Sequence, residues 1–367
     1  MNTITLDKQN SLVNVGNSIL DFFGVKPFHD TYAPLNEILK NTKKKKIALI
    51  LLDGFGKVIV EHYKKDIPFM YKHIFKEYKS VFPPTTVAAT TALTTGKFPL
   101  ETGYIGWTQR FKEKNAYINV FISNNAFNRD QFFEPRVTDN ELHVDYLWDL
   151  INKTGKYKAT SIQSFTYRND EGVENTNKFF EEADKLVKEN DFVYIYSANP
   201  DHLLHNNGLF NGIIKKNLKY LDKKVKELVK NNPDTLFLLT PDHGFMDVEE
   251  ISVLEHEDFV ATLEDPLFYV EGRFAAFNVK DKDNFLKLAK KYYGEYFDIY
   301  SRETILNMDT FGNGELNKYA DETLGDYFLV SKDKYIFYNG ENPIGFKGAH
   351  AGGTPQETDI YLMLFNE

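Results

Sequence analysis

Three short apolar runs, each stopping at a cluster of polar residues, constrain this chain most. Lys43 to Lys46 lead into Ile47-Ala-Leu-Ile-Leu-Leu52, which stops at Asp53-Gly54-Phe55-Gly56. Phe192-Val-Tyr-Ile-Tyr196 runs toward Asn199-Pro200-Asp201, and Thr235-Leu-Phe-Leu-Leu239 toward Pro241-Asp242-His243. Continuous apolar runs of this length suit strands covered on both faces, as in parallel sheets. Between the last two, from about Phe210 to Val229, the residues Ile213, Ile214, Leu218, Leu221, Val225 and Leu228 mark one stripe of a long helix. Strand, helix and strand in alternation predict right-handed βαβ crossovers and an α/β fold, a mostly parallel central sheet with helices on both faces. Such sheets take ligands at the carboxyl ends of their strands, where the polar clusters fall.

The stretch from Glu255 to Tyr338 reads differently. Arg273-Phe-Ala-Ala-Phe-Asn-Val279 predicts a strand and Asp283 to Tyr293 a helix, followed by aromatic and turn-rich material through Gly312-Asn-Gly314. We read 255–338 as a small α+β cap insertion in a core made of residues 1–254 and 339–367. Residues 1–46 are its lead-in, and Asp359-Ile-Tyr-Leu-Met-Leu-Phe365 its last strand. A chain of 367 residues has room for this division.

Composition removes several classes of function. With no Cys there is no disulfide framework, thiolate metal site or thiol nucleophile. Against 44 Lys and Arg stand 53 Asp and Glu, a net charge of −9, which argues against bulk attraction to nucleic acid or an anionic membrane. The Lys43–Lys46 run reads as a solvated lead-in to a buried strand. Ile47 to Leu52 is far short of the roughly 20 apolar residues of a membrane span. Met1 to Leu20 mixes polar residues through its apolar positions, so it shows no signal-peptide core and the expected location is cytoplasmic.

Five separated segments carry residues suited to a metal site. They are Asp53; Thr85-Thr86, ahead of the small-residue helix Val87 to Thr95; Asp201-His-Leu-Leu-His205; Asp242-His243; and His350, in Lys347-Gly-Ala-His-Ala-Gly-Gly353. If Asp201 and His205 stand on a helix, their i, i+4 spacing puts both on one face. Oxygen and nitrogen donors without sulfur suit Zn²⁺ or Mn²⁺. A Thr hydroxyl becomes a useful nucleophile once a base or metal lowers its pKa, and a helix start offers free N–H groups to phosphate oxygens. The alternative role for such a Thr is an N-cap. His29, His62, His73, His143 and His256 read as structural, and His202 would face away from its neighbours Asp201 and His205.

Taken together, Leu52-Asp53-Gly54, Phe82-Pro-Pro-Thr-Thr86 with Thr95-Gly96, Asp201-x-x-x-His205, Thr240-Pro-Asp-His-Gly244 and His350 resemble the alkaline phosphatase superfamily. More narrowly they resemble its nucleotide pyrophosphatase/phosphodiesterase branch, from about Ile47 to the C-terminus. The resemblance implies an alkaline phosphatase-like fold and a metal-dependent phosphoester hydrolase acting through a phosphothreonine. Asp53, Asp242 and His243 would hold one metal together with the nucleophile Thr86, chosen over Thr85 by its spacing to Thr95-Gly96. Asp201, His205 and His350 would hold the second. The substrate would be a small phosphorylated molecule, a nucleotide among the candidates, with no nucleic acid and no membrane as partner.

One departure bears on substrate. Where that branch follows its nucleophile with Pro-Asn-His, this chain has Ala88-Ala89-Thr90, so the Asn donor to a phosphoryl oxygen is missing and the Val87 N–H is left for part of that contact. Trp107 offers a face for a base or aromatic leaving group. The alternatives on the same two-metal site are a phosphomonoesterase or phosphomutase and a phosphonoacetate hydrolase-like enzyme; outside that class stands a metal-retaining binding protein.

Overall fold

The computed structural model describes residues 4, 6–168, 174–265 and 267–366. Six strands form the central sheet: β1 (Lys46–Leu52), β2 (Ile74–Lys79), β3 (Ala159–Gln163), β4 (Phe192–Ser197), β5 (Thr235–Thr240) and β6 (Asp359–Phe365). Their spatial order is β2-β6-β5-β1-β4-β3. β1 lies between β4 and β5 and is parallel to both, β3 is parallel to β4, and β6 runs antiparallel to β5 and β2.

The three apolar runs are the three central strands, and β1 shows why they lack polar positions. Ala48, Ile50 and Leu52 enter one core with Ile214, Leu218, Leu221 and Val225 of the helix Gly212–Asn231. Ile47, Leu49 and Leu51 enter the other with Val13 and Val15 of the helix Leu12–Phe22 and Ala88 and Ala92 of the helix Thr86–Thr95. Successive side chains of a strand face opposite ways, so a strand covered on both sides is apolar throughout. Each fully buried Leu or Ile stabilises by about 1.5–3 kcal/mol. Ile213, expected on the buried stripe, is instead 53% exposed. Asn211 caps this helix by accepting from the N–H groups of Ile213 and Ile214, and the helical step of about 100° between them turns only Ile214 inward.

The N-terminal segment is part of the core, where it fixes the helix Thr86–Thr95. An added Cβ at Gly16 would lie 2.3 Å from Leu93 O, so the two helices touch backbone to side-chain-free backbone. Asn17 Nδ2 donates to Gly96 O at 2.7 Å and to Val13 O at 2.8 Å. Gly16→Ala would push the helices apart.

A second sheet is antiparallel throughout. Its order is Phe297–Ser301, Tyr327–Ser331, Phe274–Phe277, Tyr269–Val270, Thr108–Phe111, Ala116–Asn119 and Asn124–Asn125. The helix Lys282–Tyr293 covers part of it through Phe285, Ala289 and Tyr293. The sheet extends beyond the expected insertion over 255–338, because three short strands from 108–125 join it through Tyr269–Val270. Among the described residues no helix is long and apolar enough to cross a membrane.

Candidate active site

Each of the three central strands delivers a candidate ligand at its carboxyl end. Asp53 follows β1, Asp242 and His243 follow β5, and Asp201 follows β4 at the start of the helix Asp201–Asn207. His205 lies one turn further, on the same face, with Nε2 3.6 Å from Asp201 Oδ1. The chain after β1 turns back through Gly54, at φ 71. At Gly56 it passes so near the β5 loop that an added Cβ would stand 2.3 Å from Gly244 Cα. These glycines let the ends of β1 and β5 meet.

All seven residues singled out as ligands or nucleophile converge, in two adjoining groups. In the first, Thr86 Oγ1 is 3.4 Å from each Asp53 carboxylate oxygen and 3.3 Å from His243 Nε2. His243 Nε2 is 3.4 Å from both Asp53 Oδ1 and Asp242 Oδ2. In the second, Asp201 Oδ1 is 3.6 Å from His205 Nε2 and from His350 Nε2. The groups touch where the rings of His243 and His350 stack with centroids 3.8 Å apart. Ligand atoms of Asp53, Asp201 and His243 also lie within 4.8 Å of one another.

The two threonines part company here. Thr85 occupies the N-cap position of the helix but makes no capping bond; its hydroxyl donates to Glu271 Oε1 at 2.6 Å. Thr86 is the first helical residue and faces Asp53 and His243. The first-turn N–H groups, that of Val87 among them, have no partner within the helix. Trp107 is 36% exposed, and its backbone N–H donates to the same Glu271 oxygen at 2.8 Å. His202 is exposed, as expected.

The three imidazoles are held in one tautomer. Nδ1 faces a backbone carbonyl in each: Gly348 O at 2.9 Å for His205, Gly244 O at 3.0 Å for His243 and Pro84 O at 3.2 Å for His350. A carbonyl only accepts, so Nδ1 carries the hydrogen and Nε2 turns a lone pair inward. Burial lowers His205 to about 4, and burial with His243 nearby holds His350 well below the ordinary range.

The carboxylates are crowded. Burial, then the charges of Asp242 and Asp201, pushes Asp53 well up, and burial with the charges of Asp242 and Glu271 does the same to Asp201. Asp242 Oδ1 accepts from the N–H groups of Gly54 at 3.1 Å and His243 at 3.0 Å. Asp242 Oδ2 and Asp201 Oδ1 are buried without a hydrogen-bond partner. No lysine or arginine pairs with the three aspartates among the described residues.

This donor set fits divalent cations. Ligands about 2.0–2.1 Å from a tetrahedral ion are about 3.3–3.4 Å from each other, the spacing of the first group. A cation would partner the orphaned oxygens and offset the repulsion among carboxylates that are costly to bury unpaired.

Three participants were not foreseen in the sequence. Tyr196, read only as part of an apolar strand, donates its hydroxyl to Asp53 Oδ2; its place at the end of β4 was the one available signal. Glu271 and Arg273 lie just before a second-sheet strand: Glu271 accepts from Thr85 and Trp107, and Arg273 pairs with Glu357, which holds the His350 loop, and no local pattern announces either.

A mostly parallel sheet with carboxylates and imidazoles gathered at its strand ends around one hydroxyl defines an alkaline phosphatase-like phosphoester hydrolase. The chain belongs to the type I phosphodiesterase / nucleotide pyrophosphatase family, whose sequence model matches residues 47–353. Among solved structures it is similar to murine ectonucleotide pyrophosphatase/phosphodiesterase 5 in an inactive Thr-to-Ala form in complex with AMP, at 14% identity and a TM-score of 0.63, covering 87% of each chain. A second murine structure of that protein matches at 14% identity and a TM-score of 0.63, covering 86% of this chain and 87% of the other. The human protein matches at 15% identity and a TM-score of 0.63, covering 87% of each chain. At such identities the likeness is one of fold. A comparison with curated proteins returns no match.

Proposed function

We propose that this chain is a two-metal phosphodiester hydrolase that works through a phosphothreonine on Thr86, with a nucleotide-type phosphate ester as the expected substrate class. The observation that carries the reading is the position of Thr86 Oγ1, 3.3 Å from His243 Nε2 and 3.4 Å from both Asp53 oxygens, beside a second ligand group. Asp53, Asp242, His243 and Thr86 would hold one ion, and Asp201, His205 and His350 the other, with Zn²⁺ or Mn²⁺ as the candidates. Bound there, divalent cations would lower the pKa of a hydroxyl or water and offset charge on phosphoryl oxygens. The AMP-bound structure of a relative inactivated by a Thr-to-Ala replacement supports both a threonine role and a nucleotide ligand.

Thr86 Oγ1 gives its proton to solvent and bonds to phosphorus as the bond to the leaving oxygen breaks; the leaving oxygen takes a proton from solvent. The Val87 N–H, at the start of the helix, steadies a phosphoryl oxygen. Water then attacks from the opposite side, breaks the Thr86–phosphorus bond and restores the hydroxyl. The core over 1–254 and 339–367 supplies the ligands, and the 255–338 region, through Glu271, supplies a wall. The test is turnover of bis(p-nitrophenyl) phosphate after metal is stripped and Zn²⁺ or Mn²⁺ returned. Turnover should vanish and come back, and Thr86→Ala should lower it about a thousandfold or more while bound metal stays. A Thr86→Ala protein that keeps its turnover overturns the reading.

A further inference from the structure

One carboxylate beside the site takes no part in either ligand group. Glu271 lies between the strands Tyr269–Val270 and Phe274–Phe277 and reaches over to the start of the helix Thr86–Thr95. Its Oε1 accepts from the Thr85 hydroxyl at 2.6 Å and from the backbone N–H of Trp107 at 2.8 Å. Through these two bonds it ties the residue next to Thr86 to the exposed aromatic at the rim. Neither bond brings a positive charge. Among the described residues no lysine or arginine pairs with Glu271: Arg273, two residues on, is spent on Glu357 at 2.7 Å. Arg110, the arginine nearest to Thr86 in sequence, lies over the Tyr117 ring at 5.9 Å. The Glu271 charge is felt at Asp201, in the second ligand group, and burial pushes its own carboxyl up to about 7.

A phosphate diester brings one negative charge to the site, and a monoester brings a second on its non-bridging oxygens. An arginine at this position would favour the dianion, whereas an uncompensated carboxylate repels it. We propose that Glu271 is the specificity-determining residue of this site. Its negative charge disfavours dianionic phosphate monoesters more than monoanionic diesters, while its hydrogen bonds hold Thr85 and the Trp107 backbone in place. This rests on phosphoryl transfer at Thr86, as proposed above.

Glu271→Gln separates the two roles, because the amide oxygen still accepts both bonds while the charge is gone. Glu271→Ala removes both. The metal-loaded variants are assayed at about pH 9, where a carboxyl in this range is ionised, with bis(p-nitrophenyl) phosphate and p-nitrophenyl phosphate. Glu271→Gln should raise kcat/KM for the monoester about tenfold and for the diester only about threefold, because a monoanion feels the lost charge half as strongly as a dianion. Glu271→Ala should lower kcat for the diester, because Thr85 and Trp107 lose their acceptor.

A binding arm needs no turnover. In a Thr86→Ala background, Glu271→Gln should tighten phenyl phosphate about tenfold by calorimetry and diphenyl phosphate about threefold. A purely structural role for Glu271 would move both ligands by the same factor. An unchanged monoester-to-diester ratio in both arms, in either variant that keeps the parent Tm, overturns the proposal. Turnover surviving in Thr86→Ala would instead sink the nucleophile assignment, and the binding ratio would still decide the role of Glu271.

Discussion

The two ligand groups reach the same small volume by different means. Asp53, Asp242 and His243 sit at strand ends and are 2%, 0% and 0% exposed. Their backbones are stitched together: Gly54 N–H donates to Asp242 Oδ1, and the Ser80 hydroxyl donates to Asp242 O at 2.5 Å. Asp201, His205 and His350 come from a short helix and a glycine-rich loop, with side chains 17%, 21% and 9% exposed. Just after His350, Ala351 has φ 82, a left-handed conformation that costs a residue with a Cβ about 1–2 kcal/mol. What holds that loop is Glu357, which accepts from Gly352 N–H at 2.7 Å and from the Thr354 hydroxyl at 2.7 Å.

Glu357 is gripped in turn by Arg273 of the second sheet, through Nε at 2.7 Å and Nη2 at 3.1 Å. Burial alone would push the Glu357 carboxyl up, but the Arg273 charge and hydrogen bonds more than offset it and hold the group below its usual range. The first group is therefore pre-formed by the central sheet. The second depends on an ion pair between the bend before the strand Phe274–Phe277 and the helix Pro355–Thr358, so it should be the weaker and more adjustable metal site.

The largest effect expected from this contrast is on stability. Arg273→Met leaves Glu357 buried and unpaired and should cost about 3–5 kcal/mol in denaturant unfolding. In metal titrations followed by calorimetry, it should weaken the looser binding step first. Next come the ligands themselves: His350→Ala should weaken the looser step about a hundredfold and spare the tighter one, while His243→Ala should do the reverse. Both variants losing the same step would erase the distinction.

Protons should compete with metal at the carboxylates more than at the imidazoles. Asp53 and Asp201 are raised, so metal must displace protons from them, and affinity should climb with pH while protons are released. The sign for the metal-free protein follows by linkage. A carboxyl raised in the folded state lends stability below its unfolded value of about 3.9 and loses it as pH rises toward the folded value. His205, lowered to about 4, acts the other way and loses stability as pH falls below about 6.5. Across the range in which the raised aspartates ionise, the metal-free Tm should fall with rising pH and the metal-loaded Tm should not. A flat metal-free profile would show that the aspartates are not crowded as described. The smallest effect belongs to Tyr196→Phe, which removes one hydrogen bond to Asp53 and should weaken the tighter metal step about tenfold without touching the looser one.

Most of the central sheet was legible because a strand buried on both faces has no room for polar residues, and the polar residues that end it are therefore conspicuous. That logic placed Asp53, Asp201 and Asp242 at strand ends, and the i, i+4 spacing found His205. His350 was marked by its glycine-rich segment, and its assignment to the second ion came from family resemblance. The misses share one cause, action at a distance across the chain. Glu271 and Arg273 belong to a strand start whose own neighbours are aromatic and small, and their partners lie at Thr85, Trp107 and Glu357. The strands at 108–125 are too short to show a period, and they exist because Tyr269–Val270 offers them an edge. Ile213 failed for a smaller reason, one residue's offset in where Asn211 starts the helix.

Anomalous diffraction from crystals grown with Zn²⁺ or Mn²⁺ tests the central assignment most directly. Two peaks about 3.5–4 Å apart are expected, one against Thr86, Asp53, Asp242 and His243 and one against Asp201, His205 and His350. A single peak, or metal bound away from Thr86, would contradict it.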